Sequence, residues 1–320
     1  MAEANVTSNS SIDFGKWLST AALPVALALL VIFFSFKAPV FFSLNNWISI
    51  SVQVASLMTV SVPFAILLMT GKVDLSVGSV AGLSGVIAGL IFPELDVVPT
   101  VLVVLAIGFG IGVMNGFLVG YLSMSPIIVT LGTLTAARGL AQWLSPAPLF
   151  DFPESFTFLG YGKLAGVPIL TIIMLAVLMI GLFVMARTPL GRHAIAIGVN
   201  ERASYLVGIR VKLTIMLLYG AVGFGAALGG LMTVARINSA PSGTLGVGME
   251  LSVLTAVLLG GVPFTGGRGS LLRVALGVWL LGMLSNGLIL MNVPTETSLM
   301  ITGLVLFLAA GLNVLKVQRG

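Results

Sequence analysis

Along the 320 residues, long apolar runs with very few charges alternate with short clusters of Pro, Gly and polar residues. A membrane-spanning helix needs about 20 predominantly apolar residues. Cutting the runs at the polar clusters predicts ten helices, near 18–36, 47–69, 77–92, 99–120, 126–144, 168–186, 213–234, 251–266, 274–290 and 298–315. The third and eighth are short and rich in Gly or Ser, so a broken or re-entrant segment is the alternative there to a full span. The expected fold is all-α: a polytopic membrane protein with a cytoplasmic tail over 1–16 and a transmembrane domain over 17–316. Within that domain, 187–212 forms one long charged cytoplasmic loop.

An internal repeat runs through these segments. Asp74-Leu-Ser-Val opens the third helix and Glu250-Leu-Ser-Val the eighth. Gly-Val-Met-Asn115-Gly-Phe-Leu in the fourth resembles Gly-Met-Leu-Ser-Asn286-Gly-Leu in the ninth, 41 and 36 residues after the respective acid. The offset is five helices, and an odd number of spans inverts one repeat against the other. Two inverted five-helix halves are a transporter plan, with the pathway at an interface between repeats or subunits.

Composition narrows the chemistry. Residues are 58% hydrophobic and 8% charged, against roughly 25% charged in an average soluble protein. There is no cysteine and one histidine, His193. Thiol nucleophiles, iron–sulfur clusters, imidazole metal sites and an intramembrane Ser/His hydrolase all lack material, so neither a catalytic nor a metal-binding residue is assigned. The first 16 residues are polar and carry Glu3, Asp13 and Lys16, without the apolar core of a cleavable signal peptide.

Net charge is +5, but the cations are few and dispersed, which argues for membrane orientation rather than nucleic acid. With both termini cytoplasmic, eleven Lys and Arg fall inside (16, 72, 187, 192, 202, 210, 212, 268, 273, 316 and 319) and three fall outside (37, 163 and 236). The fifteenth, Arg138, lies within the fifth helix. It is read either as a functional charge or as a side chain snorkelling outward to Asp151 or Glu154. Gly108, Gly112, Gly116 and Gly120 recur every fourth residue, as do Gly78/Gly82, Gly85/Gly89 and Gly225/Gly229. Such stripes let helix backbones approach closely. Asn115 and Asn286 are amides inside apolar helices and need a partner, either a neighbouring helix or a water-lined path.

In the charged loop, Asn200 suits a helix N-cap, Glu201 the first turn and Gly208 the stop, with Ala203, Leu206 and Val207 on one face. A helix this short is not stable alone in water, so it docks on something, a partner protein or the lipid headgroups. No Gly-x-x-x-x-Gly-Lys-Ser/Thr loop occurs: the Gly-Lys pairs at 15–16, 71–72 and 162–163 are followed by Trp, Val and Leu. Any nucleotide that drives transport binds another polypeptide.

An ordered set of motifs carries a resemblance: Gly71-Lys-Val-Asp-Leu-Ser-Val-Gly-Ser, Ser125-Pro-Ile-Ile-Val-Thr-Leu-Gly-Thr133, Thr188-Pro-Leu-Gly-Arg192, Leu259-Gly-Gly-Val-Pro-Phe-Thr-Gly-Gly-Arg-Gly-Ser270 and Ser285-Asn-Gly287. From about residue 45 onward the chain resembles the ribose-type permeases of ABC importers. The resemblance implies an inner-membrane sugar permease paired with a second permease subunit. It also implies two cytoplasmic ATPases that handle ATP and Mg, and a periplasmic sugar-binding protein. No cofactor is expected in this chain. The resemblance assigns the loop to ATPase coupling, through Gly198, Asn200, Glu201, Arg202, Ala203, Leu206, Val207 and Gly208. Ser76, Ser79, Asn115, Thr130, Thr133 and Asn286 are candidate pathway residues, because neutral hydroxyls and amides can bond a passing sugar without trapping it. Two departures stand out: Lys72 takes the place of a usual glycine, and Val-Pro-Phe-Thr at 262–265 that of a Thr-Ser-Leu-Phe stretch. The rival reading is an ion-coupled secondary transporter, which the repeat alone would equally support. It predicts acids at the membrane midplane, whereas Asp74 and Glu250 are expected near the two surfaces.

Overall fold

The computed structural model describes residues 14–294, 296–301, 303–305 and 307. The tail 1–16 and the tenth predicted segment therefore lie partly outside the described residues. Among the described residues, six helices are long and apolar enough to cross a membrane. They are α2 (Leu44–Leu68), α4 (Val97–Gly120), α5 (Pro126–Leu144), α7 (Ile169–Arg187), α10 (Val211–Ile237) and α12 (Leu271–Leu290). Four more apolar stretches are shorter: the described part of α1 (Phe14–Lys37), α3 (Val77–Ile91), α11 (Met249–Leu259) and Glu296–Val305. Each of the ten overlaps one of the predicted segments, the eighth over its first part and the tenth only over its described residues. Three shorter α-helices connect them: α6 (Glu154–Tyr161) between α5 and α7, then α8 (Pro189–Val199) and α9 (Glu201–Leu206) in the charged loop. Among the described residues, strand structure is confined to two antiparallel pairs, Leu149–Phe150 with Ser239–Ala240 and Lys163–Leu164 with Val167–Pro168.

Local chemistry sets several boundaries. Ser43 caps α2 by accepting from the Asn46 amide at 3.3 Å. Proline occupies the first turn of α5 and α8, where its missing N–H costs nothing. At the end of α10, Asn238 turns left-handed (φ 49°) and its side chain accepts from the Phe152 amide.

Two buried helices organise the rest. α10 packs on α2, α3 and α4, and α2 packs on α10, α11 and α12. Exchanging α2 with α10, α3 with α11 and α4 with α12 turns one set of contacts into the other, and the α3–α4 contact into the α11–α12 contact. The packing thus carries the repeat legible in the two acidic motifs. α1 and α7 depart from it, since α1 lies on α12 and α7 on α2.

The glycine stripe of α4 is a packing device. A Cβ at Gly108 would sit 2.7 Å from the Gly223 carbonyl oxygen, one at Gly112 would strike the Tyr219 carbonyl, and one at Gly116 would lie 2.6 Å from Met216 Cα. Gly225 and Gly229 bring the other side of α10 onto Thr59, Pro63, Ser56 and Val60 of α2.

Fifteen residues at 1.5 Å each give α3 about 22 Å, short of a bilayer core of about 30 Å, and α11 is shorter still. The chain after α10 does not stay at the outer surface but runs back along α3. Ala240 and Leu245 lie against Gly85, the Leu245 carbonyl against Gly82, and Gly246 and Glu250 against Gly78. Two short helices therefore begin close to one another inside the protein. Glu250 is not at the outer surface as expected, because the re-entrant segment carries it to the first turn of α3. Asp74 is buried, 1% exposed.

Candidate functional site

A polar chain of side chains leads outward from the start of α3. Asp74 accepts from the Ser76 amide at 2.9 Å and from the Ser76 hydroxyl at 2.5 Å. Asn115 of α4 donates to Ser76 Oγ at 3.1 Å, and Thr133 of α5 donates to Asn115 Oδ1 at 2.6 Å. Next to the acid, the Tyr219 hydroxyl of α10 donates to the Val73 carbonyl at 2.8 Å. Asp74, Ser76 and Asn115 are buried, whereas Thr133 is half-buried on a helix whose far face is open. A hydroxylated solute meeting α5 would therefore meet the outer end of a connected network.

Arg138, one turn further along α5, neither snorkels outward nor pairs with Asp151 or Glu154. Its Nη1 donates to the Leu245 carbonyl at 2.6 Å and to the Ser242 carbonyl at 3.2 Å. The re-entrant backbone supplies acceptors closer than the outer loop does, and the guanidinium satisfies carbonyls that no helix or strand partner reaches.

The candidate pathway residues separate into groups. Ser76, Asn115 and Thr133 are joined directly. Ser79 is buried one turn into α3, and Thr130 turns its hydroxyl back to the Pro126 carbonyl of its own helix at 2.8 Å. Asn286 sits elsewhere, in a reciprocal amide pair with Asn46 across α2 and α12: Asn46 Nδ2 to Asn286 Oδ1 is 2.9 Å and the return bond 3.0 Å. Asn46 also donates to the Phe41 carbonyl. Asn286 has thus taken a neighbouring helix as its partner. Asn46 was a polar residue at the edge of the second predicted segment, and nothing local tied it to a position 240 residues away.

At the other end of the bundle, Asn200 caps α9 by accepting from the Ala203 amide at 2.9 Å, and Gly208 ends the turn at φ 87°. Glu201, Arg202, Ala203, Leu206 and Val207 are exposed, as is Tyr205. Gly198 instead faces inward, where a Cβ would strike the Met69 carbonyl and the Gly267 amide. The Gly267 amide donates to that same carbonyl at 2.8 Å. Three segments meet there: the end of α8, the turn before α3 and the loop after α11.

The profile of a family described as the permease component of branched-chain amino acid transport systems matches residues 46–310. The ribose import permease protein RbsC of Haemophilus influenzae is 32% identical over 95% of both chains, and that of Bacillus subtilis 33% over 96% of both. The galactose/methyl galactoside import permease protein MglC of Salmonella typhimurium is 31% identical over 96% of this chain and 97% of its own. The chain belongs to this family of transport permeases. No solved structure matches it. The matched span of the permease takes in the Asp74 network, the re-entrant segment and α9 together, so all three lie within the shared fold of a multi-pass membrane protein.

Proposed function

We propose that the permease is the membrane subunit of an ATP-driven importer of the inner membrane, that both its termini are cytoplasmic, and that its cargo is a monosaccharide. The family profile is described by amino acid transport, whereas the relatives similar over nearly the full chain are named for ribose and galactose. The neutral hydroxyls and amides of the Asp74 network suit a polyol better than a zwitterion.

The observation that carries the ATPase partnership is α9. Tyr205, Leu206 and Val207 are 67, 76 and 78% exposed on a capped helix too short to hold its shape without a partner. Cations at 192, 202 and 210 flank them. A protein groove accounts for three adjacent apolar side chains on so short a helix, and the partner ATPase, with its ATP and Mg, supplies the energy this chain has no phosphate loop to harvest. A second permease subunit would cover α5. That helix has the lowest mean hydropathy of the six long spans, 1.2, yet only 28% of it is buried, and a Cβ added at Gly132 or Gly139 would meet nothing within 4 Å. α7 is equally uncovered, but its mean hydropathy of 2.9 fits lipid. The periplasmic binding protein of the relatives' systems would deliver sugar to the opposite end.

Purified alone, the chain is expected to hydrolyse no ATP. With its ATPase and binding protein in vesicles, it is expected to accumulate labelled ribose or galactose, but not leucine, only when ATP is supplied. Uptake driven by a proton or sodium gradient without ATP, or hydrolysis by the lone chain, would overturn this reading.

A further inference from the structure

Lys72 and Glu201 form the one side-chain ion pair closed to hydrogen-bond distance among the described residues, Nζ to Oε2 at 2.9 Å. They are 129 positions apart in sequence and join two elements of different character. Glu201 is the first residue of α9, where a helix N-terminus also favours its charge. Lys72 stands in the turn after α2, two residues before Asp74. Between the same elements, Gly198 is in backbone contact with Met69.

We propose that Lys72–Glu201 is a clasp that makes the exposed α9 and the turn carrying Asp74 move together, so that displacement of α9 by the ATPase is delivered to the Asp74–Ser76–Asn115–Thr133 chain. This rests on the ATPase-docking reading of α9. The backbone contact at Gly198 pushes the turn firmly but pulls it only weakly, since close contact meets steep repulsion on approach and only shallow dispersion attraction on separation. An ion pair resists separation as well. With the clasp closed, each ATPase cycle must drag the turn and the start of α3, a mechanical load on hydrolysis. With it open, α9 can move away alone and the ATPase can cycle without moving the network.

Exposed pairs contribute at most about 1 kcal/mol, which caps the effect at about fivefold. The test is a double-mutant cycle on sugar-free ATP hydrolysis by the complete permease–ATPase complex in lipid nanodiscs, with ATPase co-purification measured in the same preparations. Lys72→Ala and Glu201→Ala are each expected to raise basal hydrolysis about two- to fivefold, and the double variant no further than either. The charge-swapped pair, Lys72→Glu with Glu201→Lys, is expected to return it toward the original rate. Unchanged hydrolysis in both single variants, effects that multiply in the double, or a swap that restores nothing would each overturn the clasp while leaving docking intact. Failure of the unaltered chain to retain its ATPase would instead overturn the docking reading.

Discussion

The reciprocal bonds between Asn46 and Asn286 show what a single amide demands inside an apolar helix pair. Interhelical hydrogen bonds in membranes contribute only about 0.6 kcal/mol on average, but a buried polar atom left without its partner costs about 1–3 kcal/mol. Asn46→Leu orphans the Asn286 side-chain amide, whereas replacing both by Leu removes that demand, and both variants lose the Asn46 bond to the Phe41 carbonyl alike. The single variant is therefore expected to melt lower in detergent than the double, and the reverse order would show that the pair itself is the main source of stability. Glycine gives a sharper contrast. Gly112→Leu drives a side chain into the Tyr219 carbonyl and should abolish the monodisperse species on gel filtration, while at Gly110 on the same helix a Cβ meets nothing within 4 Å and Gly110→Leu should be tolerated. The stripe that includes Gly112 was legible because its period is local. The partners of Asn115, Asn286 and Lys72 were not, since each is fixed by another helix rather than by neighbours in sequence. The partner of Arg138 was hidden for the same reason: the Leu245 carbonyl that holds it lies 107 positions away.

Individual elements divide along the same line. Ten apolar stretches and the capped helix at 201–206 follow from hydropathy and capping chemistry, which act over a few residues. The re-entrant segment 239–248 has no comparable signature: it is short, mixed and rich in Gly, and its depth depends on Arg138 and on the glycine face of α3. Removing that anchor by Arg138→Met should loosen the segment. The chain has no cysteine of its own, so Thr244→Cys gives a background-free probe. Its labelling by a membrane-impermeant maleimide should accelerate in the Arg138→Met background, and an unchanged rate would mean the segment holds its place without the guanidinium. α9 offers a second element-scale test. Replacing Leu206 and Val207 together by Asp puts two charges into any protein groove that receives them. Unpaired buried charge costs several kcal/mol, more than a hundredfold in an association constant. The variant should insert at normal levels yet lose ATPase co-purification and sugar uptake together. Retention of both would remove the coupling role from this helix.

The whole molecule is two related halves, and the proposed orientation puts most of its cations on one side of the bilayer. Single cysteines placed at Asp151 and at Asn200 should label from opposite sides of sealed cells, the former from outside and the latter only after permeabilisation. The opposite pattern would overturn the orientation inferred from the eleven-to-three division of cations. The exchange of contacts between halves also bears on how the protein is made. α3 is too short to hold a stable place in lipid by itself, and although α4 and α5 of its own half pack on it, the surfaces that cover its glycine face, Ala240 to Glu250 and α10, belong to the second half of the chain. The glycine edge of α4 waits for α10 as well. As the polypeptide leaves the ribosome, the first half must therefore dwell in the membrane with its most closely packed surfaces bare, open to insertase or chaperone contact, until residue 250 has emerged. A ribosome stalled before α10 should leave a nascent chain that proteases clear, and one stalled after α11 a chain that resists them.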